Sequence, residues 1–220
     1  MKKKKVFYLF LTALAILCFQ TLYYKLTIVM LQSFTEHFPG WSNNCYLMVH
    51  HFFQFIMLFI PTIIIHRHSH IDFGYHIKDW KKGLGWLGVG VALEFLFHAI
   101  PHWLSGNFGF SFQSDSFVFQ LFFSGLGEEI DFRVLPLVIL SIVWGQELTC
   151  KVSSKYTIDI DVLISALFFA IAHVASGYNW ISLLFVFAIG VVLGKIYRKT
   201  NSVWVCMIAH GIFNVIATTL

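Results

Sequence analysis

Apolar stretches about as long as a bilayer is thick recur along the chain with short polar segments between them, and such a pattern confines it to a membrane-spanning helical bundle. Residues 6–31, 45–65, 84–102, 180–197 and 203–220 each provide one stretch, and 162–176 provides a shorter one. Residues 117–148 are long enough for one broken crossing or two short ones, because Pro136 falls where a helix would kink or end. In hydrocarbon every backbone N–H and C=O must be satisfied within the chain, which leaves helices as the reading for segments this apolar. Over 220 residues the hydrophobic content is 58%, the charged content 12% and the mean hydropathy +0.74, so no length remains for a soluble domain. The expectation is an all-α, polytopic membrane bundle of seven to eight transmembrane helices in the cell membrane, with the lipid bilayer as its partner.

The net charge of +4 comes from clusters beside apolar runs. There is no long basic stripe interleaved with stacking aromatics, so a nucleic-acid partner is excluded. Lys2 to Lys5 precede the first run without a small-x-small cleavage site after it, which reads as an uncleaved first span. Arg67, Lys78, Lys81 and Lys82, and later Lys195, Arg198 and Lys199, mark polar ends. If 117–148 crosses once, all of these fall on the side of the amino terminus, as the positive-inside rule prefers, and the count is seven. Cys18, Cys45, Cys150 and Cys206 are scattered and form no zinc-knuckle, redox or disulfide pattern.

Ionisable groups inside apolar runs are costly, and so they mark function. The densest group is Glu128-Glu129-Ile130-Asp131-Phe132-Arg133, directly after the aromatic run that begins at Phe117. Glu129 and Arg133 are four residues apart and share a helical face, so they pair; Glu128 points elsewhere and stays available. Two further pairs repeat the four-residue spacing: Phe169 with His173, and His210 with Asn214. Each places a polar group on one face of an apolar helix, and convergence of all three segments on one buried polar site accounts for them together. Glu94, His98 and His102 also recur every four residues, as a hydrogen-bonded trio, an interfacial face or a metal site. Gly83, Gly85, Gly88 and Gly90 nearby would admit a neighbouring helix.

In their order and spacing these residues form EExxxR, FxxxH and HxxxN motifs. The set resembles the CPBP family of intramembrane glutamic endopeptidases, which includes type II CAAX prenyl proteases and the bacterial Abi or bacteriocin self-immunity proteins. The resemblance spans about 117–220 and implies a catalytic core there; residues 1–116 form three amino-terminal spans by their apolar stretches. It further implies a bundle around a buried, water-accessible catalytic cavity in which a peptide bond is hydrolysed. By motif position Glu128 activates the water, His173 helps to position it, and His210 and Asn214 stabilise the oxyanion. Glu129, Arg133 and Phe169 support the site. No cofactor and no metal are required, and the partner is a peptide or protein substrate, such as a membrane-bound or secreted precursor in peptide maturation or bacteriocin self-immunity.

The chemistry is coherent on elementary grounds as well. A carboxylate takes a proton from water during attack and returns it to the leaving amine. Histidine and asparagine N–H groups donate to a developing oxyanion, each worth about 3 kcal/mol in a dry site. There is no HExxH and no GxSxG. The competing readings are a zinc-dependent version built on two histidines and a glutamate, a non-catalytic immunity or binding protein, and a proton-coupled transporter, for which the internal repeats are missing.

Overall fold

The computed structural model describes residues 3–104, 106, 109, 112–144, 148–152, 157–174 and 177–219. Seven helices carry these residues. Helix α1 spans Lys3–His37 and α2 spans Asn43–His68; a short 3-10 turn at Trp80–Gly83 leads into α3. Helix α3 is composite: α-helical at Leu84–Glu94, π-helical at Phe95–Ala99 and α-helical again at Ile100–Leu104. Helix α4 is composite too, with α segments Ser114–Val118, Ser124–Glu129 and Leu135–Trp144 joined by π turns at Phe119–Phe123 and Ile130–Val134. Helices α5 (Ile160–Val174), α6 (Trp180–Thr200) and α7 (Val203–Thr219) complete the bundle. By length and composition, three helices suffice to cross a membrane: Val6–His37, Asn43–His68 and Trp180–Thr200.

The helix expected to break at Pro136 does not. From Ser114 to Trp144 the chain runs without a turn, so α4 does not reverse direction. Proline lacks an N–H and crowds the carbonyl four residues earlier. Here that carbonyl belongs to Phe132, and it accepts the Ser165 hydroxyl of α5 instead. The neighbouring Asp131 carbonyl accepts the Gln20 amide of α1 at 2.8 Å. The preceding π turn closes through the Leu135 N–H to Ile130, and Pro136 follows at once. In α3 the π turn likewise closes at Ile100, directly before Pro101. In both helices the wider turn absorbs the misfit of the proline without ending the helix.

The core lies where α4, α5, α6 and α7 meet, around Ile130, Val134, Leu137, Val162, Leu193 and Phe213, each at most 1% exposed. Several crossings depend on glycines, and two of them shape the glutamate turn. At Gly125 a Cβ would stand 2.9 Å from the Met207 carbonyl of α7, so α4 and α7 meet there nearly backbone to backbone. At Gly127 it would stand 2.5 Å from Gln54 Cβ, which brings α2 against the turn that carries Glu128. Of the α3 glycines, Gly83 meets Thr200 and Gly90 meets Phe213, whereas Gly85 and Gly88 face open space.

Ahead of α5 lies a two-stranded antiparallel ribbon, β1 (Thr149–Lys151) with β2 (Thr157–Asp159). It is pinned to the end of α6 by Asp159 with Lys195 at 2.5 Å and by the neighbouring Asp161 with Arg198. At the same end of the bundle the Gly74 carbonyl accepts the Val203 N–H at 3.0 Å, and Asp72 accepts the Asn201 amide at 2.7 Å.

Candidate active site

A cavity of about 470 Å³ opens at the opposite end of the bundle. Of the residues expected to converge, Glu128, Phe169, His173, His210 and Asn214 line it. Glu129 and Arg133 lie directly behind its wall and are fully buried. Asp131, the third acid of the stretch, is buried but is not part of the lining.

The helical argument for the two glutamates holds in detail. Glu129 Oε2 stands 3.3 Å from Arg133 Nε, four residues on, at ion-pair distance though without the alignment of a hydrogen bond. Arg133 also lies over the Phe169 ring, 4.3 Å from its centroid, which gives the motif phenylalanine a place in the brace. The other Glu129 oxygen is 2.8 Å from His210 Nδ1. An ionised carboxylate only accepts, so His210 donates from Nδ1, and its Nε2 is turned towards Glu128 at 3.8 Å. Glu129 therefore orients His210 as well as neutralising Arg133.

Glu128 keeps one-fifth of its side chain exposed to the cavity. On its other side stands His51 of α2, with Nδ1 3.8 Å from Glu128 Oε1. His173 on α5 donates through Nδ1 to the Phe169 carbonyl, 2.8 Å away, and this bond fixes a ring that stands edge-on against Phe169. His210 meets Phe169 edge-on as well, so one aromatic ring spaces the two histidines.

His51, Glu94 and His98 also line the cavity. Sequence reasoning did not single out His51, although two adjacent histidines, His50-His51, inside an apolar run were a signal. Glu94 and His98 stand 3.3 Å apart, which confirms their shared helical face; the side chain of His102 lies outside the described residues. Among the described residues no three His, Cys, Asp or Glu side chains gather at metal-ligand spacing.

A partly buried carboxylate thus faces a polar cavity, with a second carboxylate, a guanidinium and imidazoles around it. In comparison with known proteins, residues 110–216 match the family described as type II CAAX prenyl endopeptidase Rce1-like, in line with the resemblance carried by the three motifs. The family is one of membrane proteases, whose substrates are peptides or proteins. No curated protein and no solved structure matches the chain.

Proposed function

We propose that the protein is a multi-pass endopeptidase of the cell membrane, with seven crossings, in which Glu128 activates a water to hydrolyse a peptide bond without a metal. The observation that carries this reading is the pairing of an accessible glutamate with an inaccessible one. Glu128 faces the cavity between His51 and His210, while Glu129 is sealed behind it against Arg133 and His210. Residues 117–220 form the catalytic core, and residues 1–116 form three scaffolding spans that also lend His51 and Glu94 to the cavity.

In the proposed step Glu128 takes a proton from water as the water oxygen bonds to the scissile carbonyl carbon. The C–N bond then breaks, and the same proton passes to the departing amine. His173, held through Nδ1, offers Nε2 to the water. Asn214 donates to the oxyanion through its amide. His210 adds a second donor only when doubly protonated, because its Nδ1 proton is committed to Glu129.

The distribution of basic residues supports one side for the cavity mouth. Arg198 and Lys195 sit at the ribbon end, far along α6 from Asn179 and Ser182, and Ser182 is in the cavity lining. With basic ends inside, the cavity opens outward, which suits a membrane-bound or secreted peptide precursor better than a cytosolic carboxy terminus. Single cysteines at Gly177 and Lys199 test this with a membrane-impermeant reagent: Gly177 should label in intact cells and Lys199 should not, and the reverse would overturn it.

Proteolysis itself is tested by comparing peptide termini in cells carrying wild-type or Glu128→Gln protein. New termini should appear only with wild type, and those cuts should persist with purified protein in a chelator. Identical termini in both cells would reject the reading.

A further inference from the structure

Glu94 is the one cavity-facing carboxylate that the proposed reaction leaves without a role. It enters from α3, on the turn after Gly90, whose missing side chain lets Phe213 of α7 press close; this crossing sets Glu94 near the helix that bears His210 and Asn214. Its side chain is 3% exposed, and Oε2 has no hydrogen-bond partner. His98 Nε2 lies 3.3 Å from that oxygen, within ion-pair distance but out of line for donation. A π turn begins at the next residue, a distortion often found where a helix serves a site.

Among its described residues the cavity lining holds two carboxylates, Glu94 and Glu128, and no lysine or arginine. Arg133, the guanidinium behind the wall, is engaged by Glu129. We propose that Glu94 is a specificity-determining residue that receives a basic side chain, lysine or arginine, of the peptide whose bond lies at Glu128. This inference rests on the proteolytic reading of the same cavity. A lysine ammonium or arginine guanidinium brings several N–H donors to an oxygen that lacks one, and its positive charge favours the ionised form of the buried carboxyl. An uncharged side chain at this place supplies no such donor or charge, so discrimination comes from the attraction of the right residue.

The experiment uses Glu128→Gln protein in nanodiscs, which retains peptides uncut, and a randomised peptide library with acetylated and amidated ends, so that only side chains carry positive charge. Retained peptides are sequenced by mass spectrometry. Lysine and arginine should be enriched at one position by about tenfold over uncharged residues, and adding Glu94→Gln should reduce this to less than about twofold. Glu94→Asp, which keeps the carboxylate, should retain the preference, so it guards against a folding defect. Absence of basic enrichment, or the same enrichment after Glu94→Gln in a protein with unchanged thermal unfolding, overturns the proposal. If wild-type protein leaves the enriched peptides uncut, the proteolytic reading fails while the basic preference stands.

Discussion

The two ends of the bundle use the same residue types for opposite purposes. At the ribbon end Asp161 is fully buried and engaged on both oxygens: it accepts the Leu148 N–H at 3.1 Å, the Val162 N–H at 2.8 Å, and the Arg198 guanidinium. At the cavity end Glu128 has imidazoles at 3.8 Å on both sides, beyond hydrogen-bond reach, and part of its surface open. A carboxylate whose acceptor capacity is filled holds structure together; one that is surrounded but unfilled remains free to take a proton. Glu129 shows that the first kind supports the second, since it holds the imidazole beside Glu128 while remaining sealed.

If this contrast is right, stability should fall most where a buried charge loses its partner and least where the carboxylate is unfilled. Arg133→Met is the extreme case, because it leaves Glu129 buried without its guanidinium. Unfolding of the purified protein in detergent should show a loss of about 3–5 kcal/mol, the range for breaking a buried pair by removing one partner. A loss below about 1 kcal/mol would mean that the brace is not structural. Asp161→Asn comes next: one charge-assisted contact to Arg198 is lost while the α5 end stays packed, and a cost of about 2 kcal/mol is expected. The ribbon should loosen with it, read as faster amide exchange at residues 149–151.

The loop at the ribbon end gives a smaller, pH-dependent term. Burial acts to raise the Asp72 pKa, but the Gly74 N–H, the Asn201 amide, and His76 and His66 outweigh it, and the carboxyl is held below its usual value. A depressed folded pKa contributes stability that is present above the unfolded value, about 3.9, and is lost as pH falls through the folded one. The thermal midpoint of wild type should therefore exceed that of Asp72→Asn near neutral pH, with the gap closing below about pH 4. A gap independent of pH would refute the assignment.

Much of the cavity end was legible from spacing alone. The four-residue rule put Glu129 on Arg133 and left Glu128 apart, and it paired Glu94 with His98. The rule describes one helix at a time, so it is silent on contacts between helices. His51 reaches Glu128 only because Gly127 lets α2 approach, and His210 reaches Glu129 across the crossing at Gly125. The bond from His210 to Glu129 also changes the chemistry expected of that histidine, because its ready proton is already committed. Pro136 misleads for a related reason: the hydroxyl that satisfies Phe132 belongs to Ser165, on another helix.

The central claim is that Glu128 is poised for proton transfer and carries no structural load. Wild-type and Glu128→Gln protein should be compared side by side, with cleavage of one peptide cut identified in cells and thermal unfolding measured on the same samples. Cleavage should fall by at least about a hundredfold while unfolding free energy changes by less than about 1 kcal/mol. Cleavage at the wild-type rate, or a loss of activity matched by unfolding of the variant, would contradict it.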